Sequence, residues 1–160
     1  MQNESGKFVS PKDSLPNVRK ILNNVDLSGE QIQKICYAIE HHEEYNWSGA
    51  NVSDLNTLIL QDADNLDAIG AIGIGRTFSY MAVHGMPMYD ENIPLDNMGE
   101  YAENDVVASA STIHHIYHKL LKLGDNMNTE TARRIARKRI RCMKSFAEEF
   151  LKEWNAGDDF

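Results

Sequence analysis

One apolar stripe near the end of the chain constrains the fold more than any other feature. From Thr129 to Trp154, apolar residues recur at alternating steps of four and three, which is the spacing of one face of an α-helix. A helix of this length buries such a face by packing against the rest of a helical bundle. Strand-like alternation is scarce in the rest of the chain. The stripe consists of Ala132, Ala136, Ile140, Met143, Ala147, Phe150 and Trp154.

Start and stop signals divide the remaining sequence into further helices. Ser28 and Gln31 have the spacing of a capping box, and Ser53 or Asp54 can cap the next long helix, which ends before Gly85. We predict an all-α bundle of about five main helices in a single domain over residues 1–160. The predicted helices cover about 15–25, 28–44, 54–84, 103–123 and 129–154, with an irregular loop over 85–101.

Composition places the chain among soluble globular proteins. It has 160 residues, of which 42% are hydrophobic and 25% are charged, and its net charge is −8. No apolar run approaches the about 18 residues of a membrane span, and the first residues, MQNESGKFVSPKDS, lack the apolar core of a secretory signal. We therefore expect a cytoplasmic protein without a membrane partner. Cys36 and Cys142 are expected to be reduced, buried thiols.

Three aspartates stand inside an apolar, glycine-containing run, ILQDADNLDAIGAIGIGRTF. At least one of these aspartates should face the interior of the protein. An ionised carboxylate is costly to bury unless it is paired or binds a metal, so that aspartate should have such a partner. On a helix Asp64 and Asp67 share a face, whereas Asp62 lies about 200° away from Asp64. The alternative is that these carboxylates only cap turns or pair with arginines of the last helix.

Two groups of histidines could carry chemistry. His41 and His42 end a helix beside two glutamates, where an imidazole can be a metal ligand or simply cap the helix C-terminus. In TIHHIYHKLLKL, His114 and His118 are four residues apart and could both bind one metal ion. The alternatives for that stretch are a phosphate-facing pair on the neighbouring face and an ordinary solvated helix surface. The phosphate-facing pair is His115 and Lys119.

The last helix also carries a run of basic residues. They spread around much of the predicted helix, and no aromatic residues alternate with them. Together with the net charge of −8, this pattern argues against a nucleic-acid partner, and a nucleic-acid-binding helical domain that uses this basic helix is the third and least favoured hypothesis. Arg139 and Arg141 lie nearest the apolar stripe and could pair with Asp64, Asp67 or a bound phosphate. The glycines at 70, 73 and 75 favour a close approach between helices.

Several motifs, in the same order, resemble the HD-domain metal-dependent phosphohydrolases. They are ADNLDA followed by GIGRTF, the segment HHEEYNWSG, and KLLKLGDNMNTETARRIARKR. The resemblance implies an HD-like bundle, a small phosphate ester or nucleotide as substrate, and a divalent metal ion (Mn, Mg, Zn, Fe, Ni or Co). It makes Asp64 the catalytic metal ligand. It further implies metal-binding roles for Asp62, His42 and His41, with His42 favoured over His41, and substrate-binding roles for Arg76, His115 and Lys119.

The sequence departs from the HD pattern in one respect. The family is defined by a histidine, a His-Asp pair and a distant aspartate, with two helices before this region carrying the first two. No His-Asp dipeptide occurs in these 160 residues, and no histidine precedes His41. We therefore expect an N-terminally incomplete HD-like domain with an uncovered apolar surface, plausibly in a homo-oligomer. Two hypotheses follow: a phosphohydrolase, or a catalytically incompetent helical binding or oligomerisation module.

Overall fold

The computed structural model describes residues 10–95 and 110–156, and the regular structure within them is entirely helical. This confirms the prediction of an all-α protein. In the same residues, no helix is both long enough and apolar enough to cross a lipid bilayer. The helices are α1 Pro11–Leu22, α2 Gly29–His41, α3 Leu55–Ala68, α4 Gly70–Val83, α5 Thr112–His115, α6 Leu121–Leu123 and α7 Glu130–Trp154, with a π-helical turn at Ile116–Leu120 and 3-10 turns at Asn46–Ser48 and Gly124–Asn126.

The chain divides into two compact units, Met1–Ala63 and Asp64–Phe160. The division falls between Ala63 and Asp64, within the residue range of α3. The prediction of a single domain stays a prediction.

In the first unit, α1 packs against α2, and side-chain caps fix where α2 and α3 begin. Ser28 Oγ accepts from the backbone N–H of Gln31 at 3.2 Å, and the Gln31 side chain accepts from the Ser28 N–H at 2.8 Å. The predicted capping box is therefore present. Before α3, the carboxylate of Asp54 accepts from the backbone N–H of Thr57 at 2.8 Å. Hydrogen bonding from Thr57 lowers the pKa of Asp54.

The predicted long helix over 54–84 is wrong in one respect, because it breaks between α3 and α4. Ile69 is extended, and Gly70 follows with φ +89°, a left-handed conformation that favours glycine. A Cβ on Gly70 would lie 3.0 Å from Cγ of Arg139 in α7, so the predicted close helix approach is also present. A Cβ on Gly73 would overlap the carbonyl oxygen of Ala68. Glycine is therefore required at both of these positions in the first turn of α4.

The second unit is organised around α7. Thr129 caps the helix by accepting from the N–H of Ala132 at 3.2 Å, and the apolar stripe faces the core as predicted. Its four fully buried members are Ala132, Ala136, Met143 and Ala147. Only the last member, Trp154, is exposed. The stripe packs with residues of α4, of α5 and of the π-helical turn, chiefly Ile74, Ile113, Ile116 and Leu120.

The helix predicted over 103–123 is found in part. Its predicted start lies outside the described residues, and the described helix begins at Thr112 behind a Ser111 cap. The loop before it is held by backbone hydrogen bonds, from Thr112 N–H to the carbonyl of Pro87 at 3.1 Å and from Ile113 N–H to that of Met88 at 3.0 Å. These bonds fix residues 87–88 against the start of α5.

The two cysteines differ in their environment. Cys36 is buried and has a free thiol, as predicted. Cys142 also has a free thiol, but it is exposed on α7, so the prediction of a buried thiol is wrong there. Position 142 lies just beside the apolar stripe in sequence, on the helix arc that faces solvent.

Candidate functional site

The aspartate motif places its first two carboxylates in opposite environments. Asp62 is buried at 3% exposure, whereas Asp64, two residues further along α3, is exposed. This confirms that one aspartate of the run faces the interior. The geometry follows from the about 200° between the two positions on a helix. Asp64, favoured by resemblance, is therefore accessible to a metal or substrate, and Asp62 would bind one only from the interior. Both ligand assignments stay predictions.

The two histidines at the end of α2 present the same ring nitrogen. Nδ1 of His42 lies 2.7 Å from the carbonyl oxygen of Ile39, so that nitrogen carries the proton and donates. Nδ1 of His41 lies 2.9 Å from a carboxylate oxygen of Glu44, and its ring contacts that of Tyr37. In its neutral form, each of these imidazoles would therefore have Nε2 available as an acceptor. A metal-binding histidine commonly has this arrangement, with its other nitrogen oriented by a carbonyl or carboxylate.

Two arginines hold the turn between α3 and α4. The guanidinium of Arg76 bonds to the carboxylate of Asp67 and, at 3.2 Å, to the Asp67 carbonyl. Arg139 donates to the carbonyl of Leu66 near the end of α3. Asp67 is therefore a salt-bridge residue, and its partner is Arg76 of α4 and not an arginine of the last helix. The Arg76 side chain remains 52% exposed, so it is accessible to a ligand in solution.

His114 has a structural role in the core rather than a metal-binding one. Its ring is fully buried, with Nδ1 2.7 Å from Oγ of Ser111 and Nε2 2.8 Å from the carbonyl oxygen of Ile93. The ring also stacks on Tyr89, with centroids 5.4 Å apart. Both nitrogens are therefore used within the protein. The alternative of a metal held by His114 and His118 is not supported by this geometry.

His115 and Lys119 lie at the two ends of one turn of unusual geometry. The stretch Ile116–Leu120 is a π-helical turn, a rare form that is frequent at functional sites. Both side chains are partly buried. Burial, and then the charges of Lys119 and His118, lower the pKa of His115 from 6.5 to about 4. At neutral pH His115 is therefore an uncharged imidazole beside a lysine.

Asn65 was not singled out from the sequence, although it lies inside the aspartate motif. It is 3% exposed, and its Nδ2 donates no hydrogen bond to any described residue. A buried donor without an acceptor costs about 1–3 kcal/mol, so such groups usually mark a water or ligand position. The only sequence signal was a polar residue on the same helix face as Asp62, where an apolar one would be expected.

Comparison with known proteins identifies the group to which the chain belongs. No protein-family model matches it. Over 94 residues, or 59% of this chain, it is 39% identical to YpgQ of Bacillus subtilis, of which the match spans 38%. The crystal structure of an HD-superfamily hydrolase from Bacillus thuringiensis is 35% identical, with a TM-score of 0.68 over 89% of this chain. A protein from Lactobacillus plantarum is 31% identical, with a TM-score of 0.68 over 93% of this chain and 70% of its own. The chain belongs to the HD superfamily.

The HD relatives are longer than this chain. It covers 63% of the Bacillus thuringiensis hydrolase and 64% of a YpgQ structure determined in complex with ADP, to which it is 26% identical with a TM-score of 0.67. The chain therefore spans a little under two thirds of the length of these two structures.

The HD fold suggests dependence on a divalent metal, and the residues present do not provide a full site for one. Across 10–95 and 110–156, no group of three or more His, Cys, Asp or Glu side chains could hold a metal ion. A metal in a catalytic site usually has at least three protein ligands. The described residues therefore do not fit the divalent metal ion that the HD family implies.

Proposed function

We propose that this chain is an HD-type phosphohydrolase whose described residues supply the substrate-binding groups for a small phosphate ester or nucleotide. Membership of the HD superfamily supports the reaction class. The ADP in the YpgQ complex supports a nucleotide as the ligand. The net charge of −8 makes a local cation necessary, because the chain as a whole repels phosphate.

The pairing of a neutral imidazole with a lysine on the π-helical turn carries this proposal. Lys119 supplies a point charge of the kind that binds phosphate oxygens. His115 is neutral, since its pKa lies near 4, and it can donate one N–H to a phosphate oxygen. Because both groups are partly buried, the attraction between Lys119 and a phosphate is screened less than it would be at the surface.

Arg76 is the third group assigned to the substrate. Its guanidinium is bound to Asp67 but is half exposed, so a phosphate can bind to its open side. Asp67 would then orient the guanidinium towards the substrate. Arg76 would then bind the Asp67 carboxylate and the substrate at the same time.

The second candidate function is a module that binds a partner or nucleotide without turnover. It is favoured by one specific observation, the absence of a three-ligand metal group in the part of the chain that the structure describes. In this case the phosphate-binding groups would still act, and hydrolysis would not occur.

Titration calorimetry with ADP, together with phosphate release in the presence of Mn²⁺, tests both functions. We expect ADP binding by the full chain and at least a tenfold weaker affinity in Lys119→Gln, since a charge-assisted hydrogen bond contributes about 1.5–3 kcal/mol. Lys152→Gln, at an exposed lysine paired with Glu149, is the matched control and should bind like the wild type. Binding with turnover supports the hydrolase, and binding without turnover supports the module. Absence of ADP binding, or equal losses in both variants, would refute the proposal.

The metal ligands are tested separately by thermal unfolding with and without excess Mn²⁺. A metal at 100 times its dissociation constant stabilises the folded state by about 2.7 kcal/mol, which raises the melting temperature by several degrees. Loss of the rise in Asp64→Ala would assign the ligand to the exposed carboxylate. Loss only in Asp62→Ala would assign it to the buried one. No rise in the wild type would leave the chain without a metal site of its own.

A further inference from the structure

The solvent-facing side of α7 carries a concentrated row of positive charge. Seven of the chain's 16 lysines and arginines lie between Thr131 and Ala147, a stretch without aspartate or glutamate. Six of the seven are exposed, and only Arg139 is partly buried. At about 100° per residue, these six fall within about 140° of the helix circumference. The cations are therefore gathered on one side, which differs from the spread expected from sequence.

Four of these residues form what we call the basic face: Arg134, Lys138, Arg141 and Lys144. No ion pair joins any of them to a described acidic residue. The neighbouring Arg133 and Arg137 are different, because both pair with Glu130. The basic face extends about 15 Å along the helix, at 1.5 Å per residue.

Like charges at this spacing oppose helix formation. Positions three and four apart on a helix are neighbours, so each successive pair in the basic face repels. The helix forms nevertheless because its opposite side is buried through the apolar stripe. The four cations are exposed and have no described acidic partner, so they are open to an external anion.

We propose that the basic face binds the phosphate backbone of a nucleic acid. Between Thr131 and Ala147 no large apolar side chain of α7 is exposed, so the face lacks the anchors by which helices enter membranes or bury protein interfaces. It has no exposed aromatic group on which bases could stack, so it contacts phosphates without reading sequence. Glu130 and Glu148 each lie one helical turn beyond an end of the basic face, and acidic groups more than about 10 Å away are screened at 0.1 M salt.

The number of cations sets the expected salt dependence. Four phosphate contacts on a duplex give a slope of about −3.6 for the logarithm of affinity against the logarithm of salt concentration. Affinity should therefore fall about 150-fold between 50 and 200 mM salt. Without sequence readout, the dissociation constant at the lower salt should be micromolar and similar for unrelated duplexes.

The test is fluorescence anisotropy of a labelled 20-base-pair duplex with the full-length chain at several salt concentrations. The test variant is Arg134→Gln/Lys138→Gln/Arg141→Gln, which leaves one contact and should reduce the slope to about −0.9. The control, Arg19→Gln/Lys20→Gln/Lys152→Gln, changes the net charge equally at exposed sites off the basic face. Arg134→Lys/Arg141→Lys keeps the charges and should retain the wild-type slope. Far-UV circular dichroism reports folding, and if the triple variant does not fold, Arg141→Gln alone should lower the slope by about 0.9.

The outcomes distinguish duplex binding by the basic face from nonspecific attraction of the duplex to positive charges elsewhere on the chain. Micromolar binding whose salt slope falls in the basic-face glutamine variants, but not in the lysine variant or the control, supports the proposal. The proposal is overturned if the chain does not bind the duplex at 50 mM salt. It is also overturned if the control variant loses as much affinity as the triple glutamine variant, or if the salt slope of the triple glutamine variant equals that of the wild type. Binding to phosphatidylglycerol vesicles without binding to the duplex also overturns it. None of these readouts depends on hydrolysis, so this inference and the proposed function can fail independently.

Discussion

Acidification should destabilise this protein through His115, and His115→Gln should remove that part of the effect. The pKa of His115 is lowered from 6.5 to about 4 in the folded state, chiefly by burial. Between these values the unfolded chain binds a proton that the folded state excludes. The free energy of unfolding therefore falls as the pH falls through this window, and the contribution is constant above pH 6.5.

The magnitude follows from the two pKa values. At about 1.4 kcal/mol per pH unit, the difference between 6.5 and about 4 corresponds to about 3 kcal/mol in total. About 2 kcal/mol of this is lost between pH 7 and pH 5, because the lower pH still lies above the folded pKa. Such a loss is a large share of the about 5–15 kcal/mol by which a typical domain is stable.

Urea unfolding followed by circular dichroism at pH 7 and pH 5 measures this quantity. Wild type should lose about 2 kcal/mol more than His115→Gln on acidification. His114 and His118 are present in both proteins, so the comparison measures the loss of the His115 ring together with its interaction with His118. His84→Gln, at an exposed histidine that ends α4, should behave like the wild type. Equal pH dependence in His115→Gln and wild type would show that burial does not exclude the proton, and the reasoning for a neutral imidazole would be wrong.

Two further predictions concern the aspartate motif and the helix that follows it. Gly73→Ala should lower stability by at least about 2 kcal/mol, since its Cβ meets the Ala68 carbonyl, whereas Gly75→Ala, whose Cβ meets open space, should raise it by about 0.5–1 kcal/mol. Urea titration of both variants checks this, and similar values would contradict it. Asn65→Leu removes a buried donor without an acceptor and should be at least as stable as the wild type. Calorimetric melting measures this, and a clear loss would mean that the donor has a partner.

Features set by neighbouring residues could be predicted from the sequence. The capping box at Ser28, the cap at Thr129 and the stripe of α7 each depend on residues within a few turns of one another, and all three are present. The order of motifs likewise predicted the HD superfamily, which the relatives confirm. Local hydrogen bonding and periodicity decide such elements before any tertiary contact forms.

Features set by distant residues could not be predicted. The break at Gly70 depends on Arg139 in α7, because the arginine's stem fills the space where a side chain would stand. The burial of His114 depends on the carbonyl of Ile93 and the ring of Tyr89, which sequence spacing does not bring together. It was predictable that Asp62 and Asp64 lie on opposite faces of α3. Which of the two faces the interior was not predictable, since both faces of α3 carry apolar residues.

The same distinction separates the two parts of the proposed chemistry. His115 directly precedes the π-helical turn that contains Lys119, so a group that binds phosphate needs little more than local structure. A divalent metal needs at least three ligands from separate elements, and residues 10–95 and 110–156 do not gather three. Ligand binding and hydrolysis should therefore be separable in this protein. If ADP binds at His115 and Lys119 while phosphate release is absent, adding the missing ligands is the step required for turnover. If both are present, the chain obtains those ligands from residues beyond the described ones or from a partner.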